Sequence, residues 1–195
     1  TAGSRAEPGH PNKRKAHETM PENNNAPRTF VSSAQDKAGK LDVASLVLLA
    51  VLMAAGFVLN ITVGKALAIT GIQPEFVISA YCLAILILRP SLPQSVLIGV
   101  LAATVIQLTT SVPGLEYLCD IPGGAIMFLF AQAVARRGSA GVLPLVGAFV
   151  TTTVSGLIFA TVATVVVLGA APSSVVAMLP VVFGTALANC VIVQV

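Results

Sequence analysis

From Val43 to Val195 the chain carries only seven charged side chains: Lys65, Glu75, Arg89, Glu116, Asp120, Arg136 and Arg137. So few charges cannot cover a water-facing surface, and lipid is the expected solvent for most of this stretch. The contrast with the first 42 residues is sharp. They hold seven of the eleven Lys/Arg and five of the eight Asp/Glu. Across the whole chain 10% of residues are charged, against about 25% in an ordinary soluble domain. The expected fold class is therefore an all-α integral membrane protein, a bundle of about six transmembrane helices behind a disordered polar N-terminal tail.

Residues 1–42 are rich in Pro, Asn, Ser, Lys and Glu and lack apolar periodicity, so they cannot offset the entropy of ordering. They read as a disordered cytoplasmic tail, and 43–195 as a substrate-binding membrane domain. Lys13-Arg14-Lys15 could serve localisation or lipid contact, but a solvated tail is the simpler reading. Position 1 is Thr, and Met20 offers a translational start that would leave residues 1–19 upstream of it. The first apolar run starts too late and runs too long for a signal peptide. Asn60-Ile61-Thr62 matches a glycosylation sequon but sits inside a span.

Six spans are predicted at 43–64, 74–88, 93–111, 121–135, 142–169 and 173–195. The second and fourth are short for a hydrocarbon core of about 30 Å, which suits tilted spans or spans buried among others. The last runs to Val195 without a polar cap, which reads as a truncated C-terminus. If the spans alternate, the tail, Arg89 and Arg136-Arg137 share one side, and Lys65 stands alone among the basic residues of the other. The positive-inside rule then puts the N-terminus in the cytoplasm of a multi-pass cell-membrane protein.

Polar residues gather toward the outward ends. Asn60, Thr62, Lys65, Thr70, Gln73 and Glu75 flank the first outward turn, and Gln107, Thr109, Thr110 and Ser111 end span 3. The next loop contains Glu116, Tyr117 and Asp120, and span 4 opens on Pro122-Gly123-Gly124. Free N–H groups at the start of a helix there would favour a carboxylate, while Glu116 or Asp120 could receive an ammonium group. The alternative is that these charges are merely solvated and that Gln107 and the threonines bond backbone carbonyls. In span 1, Ala50 and Ala54 place two small residues on one helix face. Gly99 and Ala103, Gly156 and Ala160, and Gly184 and Ala188 repeat that spacing, which by default serves internal packing.

Several chemistries are excluded or disfavoured. Both histidines lie in the tail, so a serine–histidine hydrolase within the bundle is excluded. No P-loop motif is present to cradle ATP. Cys82, Cys119 and Cys190 are far apart, so no metal site and no cofactor is expected. The basic residues give no sign of nucleic-acid binding. The absence of a charge in the middle of any predicted span disfavours an ion-coupled carrier and favours a partner-driven one.

Taken together, the size, six spans, outward polar loops and the Ala50/Ala54 face resemble the S component, the substrate-binding membrane subunit, of an energy-coupling factor (ECF) transporter. Local similarity runs from Gly71 to about Phe130. It includes Ile72-Gln73-Pro74-Glu75, Arg89-Pro90, Ile98-Gly99-Val100-Leu101-Ala102-Ala103 and Gln107-Leu108-Thr109-Thr110-Ser111-Val112-Pro113-Gly114. This stretch is similar to the tryptophan-transporter branch. The long tail and the abrupt C-terminus depart from the family layout. The resemblance implies a non-enzymatic subunit that binds its solute on the outward side and topples while docked to a transmembrane T component driven by two ATPase subunits. It implies docking through Ala50 and Ala54. For tryptophan it implies an ammonium site at Glu75, Glu116 or Asp120, a carboxylate site at the N–H groups near Gly123, and indole contacts from Phe76, Tyr117 or Phe128. A vitamin-specific S component, a self-sufficient carrier or channel, and a non-transporting scaffold are the alternatives.

Overall fold

The computed structural model describes residues 41–70, 74–110, 112–138 and 141–194. The tail up to residue 40, Gln73 and Ser111 lie outside the described residues. Six helices account for nearly all of the rest, with no strand among the described residues. They are α1 (Val43–Leu67), α2 (Phe76–Leu88), α3 (Leu92–Ile106), α4 (Leu115–Arg137), α5 (Leu143–Val167) and α6 (Ser173–Gln194). Of these, α1, α4, α5 and α6 are long and apolar enough to cross a membrane.

Helix α2 is the axis of the bundle. It packs against all five other helices. Val77, Tyr81, Cys82, Ala84 and Ile85 along it are wholly buried. Its 13 residues rise about 20 Å, short of a hydrocarbon core of about 30 Å. A short helix is tolerated there because its neighbours are protein rather than lipid. Helix α1 is the opposite case. Only a narrow stripe through Leu49, Met53, Gly56 and Asn60 is buried, at the spacing of one helix face. Val47, Val51 and Val58 on its other faces are more than half exposed, as are Leu97, Leu129 and Leu187 on three other helices. Such an apolar exterior suits lipid rather than water.

Glycine sets the close approaches. A Cβ on Gly56 would stand 2.8 Å from that of Ala80, and one on Gly124 would stand 2.5 Å from the Ser95 carbonyl oxygen. A Cβ on Gly99 would collide with the Asp120 carbonyl, and one on Gly156 would press on Val182. With Ala103 and Ala160 also buried, two of the small-residue pairs seen in the sequence are packing positions between helices.

Most helix limits fall within a few residues of expectation; α4 does not. It begins at Leu115, six residues before the predicted start of span 4. Pro122-Gly123-Gly124, taken as a boundary, lies in its third turn. The true boundary is Pro113-Gly114, where Gly114 takes a φ of 85°. A proline inside a helix removes one backbone bond, leaving the Leu118 carbonyl without its usual donor. Neighbouring helices make such a position tolerable in a membrane bundle. Here the adjacent Cys119 carbonyl accepts a 2.9 Å hydrogen bond from Ser155 Oγ on α5.

Candidate functional site

Consecutive helices reverse direction, so the start of α2, the start of α4, the end of α5 and the start of α6 meet at one end of the bundle. They line a half-open cavity of about 280 Å³. Ligand pockets span about 300–1,000 Å³, so this one is sized for a small solute. Glu75 enters it from the residue before α2, and Glu116 from the first turn of α4. Thr152, Ser155, Phe159 and Thr164 come from α5, with Met178 and Thr185 from α6.

Glu116 is only 5% exposed. Its Oε1 accepts a 2.7 Å hydrogen bond from Thr110 Oγ1, which fixes the carboxyl against the loop between α3 and α4. That loop is itself closed by Gln107, whose Oε1 accepts from the Gly114 N–H at 3.0 Å. Asp120 follows one turn later on α4. It is 1% exposed, and its Oδ2 has no hydrogen-bond partner among the described residues. Glu75, Glu116 and Asp120 stand close enough to repel one another when ionised. Among the described residues, no lysine, arginine or histidine lines the cavity.

The hydroxyls around the cavity are held in defined roles. Ser155 donates to the Cys119 carbonyl, and Thr164 Oγ1 donates to the Ala160 carbonyl at 2.5 Å. Both therefore present lone pairs rather than protons. Thr152 Oγ1 accepts from Asn189 Nδ2 at 3.3 Å and keeps its own proton to donate. Asn189 is fully buried in α6. The end of α5 is also irregular: Val162–Val167 winds as a π-helix, a form that recurs at functional sites. A second π segment, Asn60–Gly64, interrupts α1.

Of the residues expected from sequence, Glu75 and Glu116 line the cavity, and Thr110 touches it through Glu116. Asp120 lies beside it. Asn60 is buried in the π segment of α1 with its Oδ1 unpartnered, away from the cavity lining. Gln107 serves the loop. Tyr117 turns toward α3, where its hydroxyl lies 3.1 Å from Thr104 Oγ1. Gly123 is a packing glycine whose Cβ would collide with the Tyr81 hydroxyl. Its N–H lies within α4, so the expectation of free anion-binding N–H groups at 122–124 does not hold. Phe76 and Phe128 do not line the cavity either; the aromatic residue that does is Phe159. Gln73 is outside the described residues. Ala50 and Ala54 are exposed on α1, clear of its buried stripe.

Sequence reasoning missed the contribution of α5 and α6. A signal was present: Thr152, Ser155 and Phe159 recur at three- and four-residue spacing in span 5, which puts them on one helix face. The chain matches no family model, no curated protein and no solved structure.

Proposed function

We propose that this chain is the membrane-embedded substrate-binding subunit of an ATP-driven uptake transporter of the ECF type, taking tryptophan or a related small molecule. The observation that carries the reading is the cavity of about 280 Å³ at one end of the bundle, where Glu75 and Glu116 meet the polar face of α5 and the ring of Phe159. Paired carboxylates beside an aromatic and aliphatic wall suit a solute with an amine at one end and an apolar body. The distribution of Lys and Arg supports a cytoplasmic N-terminus and a cavity facing outward across the cell membrane. Ala50 and Ala54, small and exposed on α1, offer a face on which a T component could seat closely. Two ATPase subunits would then supply the energy, since no phosphate-binding loop occurs in this sequence.

The chain contains no Trp, so ligand fluorescence stands out from protein emission. Titration of L-tryptophan into the detergent-purified protein should give saturable binding at or below micromolar levels. Folded protein that binds no tryptophan analogue and no vitamin would defeat the solute-binding reading.

A second reading draws support from α4. Glu116 and Asp120 lie inside a helix long enough to cross a membrane, not in a loop, and buried carboxyls of that kind can carry protons in coupled carriers. Carboxyls placed within α4 fit an ion-coupled carrier better than carboxyls in a loop would. Solute accumulation by the purified chain alone in liposomes, driven by a proton gradient, would favour this reading over the partner-driven one.

A further inference from the structure

The hydrogen-bond roles of the cavity wall narrow the chemistry of its ligand. Glu75 and Glu116 can only accept hydrogen bonds when ionised. Ser155 and Thr164 have committed their protons to backbone carbonyls, so they too offer oxygen lone pairs. Thr152 keeps a proton for a guest, because Asn189 donates to it. Among the described residues no cationic side chain lines the cavity, and the N–H groups of Gly123 and Gly124 are within α4. Asp120 Oδ2, buried and unpartnered beside the two glutamates, adds a further carboxyl oxygen. A carboxylate entering this space would meet Glu75 and Glu116 and, among the described residues, no cationic side chain. An ammonium group would meet several acceptors and relieve the mutual repulsion of the carboxyls.

We infer that the cavity binds a cationic amine that carries an apolar body and no carboxylate, so that an arylalkylamine is preferred over the corresponding zwitterionic amino acid. Phe159, Ile78 and Val182 form the apolar part of the wall that would hold the body of such a ligand. This inference rests on the solute-binding reading above and sharpens its substrate class. It removes the need for a carboxylate site, which the helical course of α4 has already taken away from 122–124.

Three probes share one ring system and separate the two charged groups: tryptamine has the amine, indole-3-propionate the carboxylate, and L-tryptophan both. Calorimetric titration of each into the full chain in detergent is expected to rank tryptamine first, about tenfold or more tighter than L-tryptophan, with indole-3-propionate silent. Glu75→Gln and Glu116→Gln, each checked for an unchanged melting temperature, should weaken tryptamine about 10- to 100-fold, the loss of one charge-assisted bond. Tighter binding of L-tryptophan than of tryptamine, or comparable binding of indole-3-propionate, would overturn the amine inference and leave the solute-binding reading standing. Tryptamine affinity untouched in both glutamine variants would also overturn it. Silence of all three probes and of phenethylamine in the folded protein would overturn the inference, and the solute-binding reading would fall with it only if vitamins were silent too.

Discussion

Where α2 hands over to α3, and where α4 ends, the backbone closes on itself. Arg89 and Gly138 take left-handed φ values of 46° and 67° to terminate α2 and α4, and the Ser91 N–H is satisfied by Gln94 Oε1 at 2.8 Å to start α3. Ile85, Met127 and Ala131 fill the interior behind these caps, and a Cβ on Gly147 would stand only 2.9 Å from Phe130. The opposite end is less regular. Helices α1 and α5 lapse into π-helix there, α4 carries a proline in its third turn, and Asn60 Oδ1, Gln107 Nε2 and Asp120 Oδ2 are buried without partners. Each unsatisfied buried group costs about 1–3 kcal/mol. Of these three groups only Asp120 stands beside the cavity, where a ligand could reach it. Polar or irregular elements retained at an energetic cost are expected at functional sites.

This contrast can be probed from both sides. Gly99→Ala should have the largest effect. Its Cβ meets a backbone carbonyl of α4, which cannot move aside as a flexible side chain could. We expect a loss of about 1–3 kcal/mol in stability together with weaker ligand binding, because α4 carries Glu116 and Asp120. Gly147→Ala, at the closed end, should cost a comparable amount of stability and leave affinity unchanged. Thermal unfolding in detergent and ligand titration on the same samples check both. If Gly147→Ala weakens binding as much as Gly99→Ala does, the ends are not functionally distinct.

Thr110→Val is the next step down. It removes the hydrogen bond that fixes Glu116, a loss of about 1 kcal/mol and hence about fivefold in affinity, with a small change in melting temperature. Full affinity in this variant would show that the carboxyl is held by something else. Arg89→Gly should have the smallest effect and the opposite sign. It relieves a left-handed backbone conformation that a side chain disfavours, so stability should rise by up to about 1 kcal/mol with binding untouched. A destabilised Arg89→Gly protein would mean that the arginine side chain, rather than the turn, matters at that end.

The layout of the bundle was legible because lipid leaves a coarse mark. Runs of apolar residues bounded by Arg89-Pro90, Arg136-Arg137 and Pro172 locate α2, α3, α5 and α6 to within a few residues, except for the C-terminal end of α3, where the expected span overshoots Ile106 by five residues. The start of α4 was not legible. Glu116 and Asp120 look like loop residues and Pro122-Gly123-Gly124 looks like a turn, since local chemistry carries no information about the neighbours that bury them. For the same reason the site was half-seen. Glu75 and Glu116 announce themselves by charge in an uncharged stretch. Ser155 and Phe159 do not, because a serine or phenylalanine in an apolar helix is unremarkable until the fold turns its face to a cavity. Tyr117 illustrates the converse: it is adjacent in sequence to Glu116 yet points to Thr104, as neighbouring positions on a helix diverge by about 100°.

We propose that the cavity between α2, α4, α5 and α6 holds the solute. Ala163 lines it, and Ala163→Phe would fill it with a ring while leaving Glu75, Glu116 and the caps of the opposite end intact. Tryptamine and L-tryptophan would be titrated by calorimetry into the wild-type protein and into this variant, with melting temperatures recorded for both. Saturable binding is expected in the wild type, and its loss in a variant that melts at nearly the same temperature. Undiminished binding in a folded Ala163→Phe protein would contradict it.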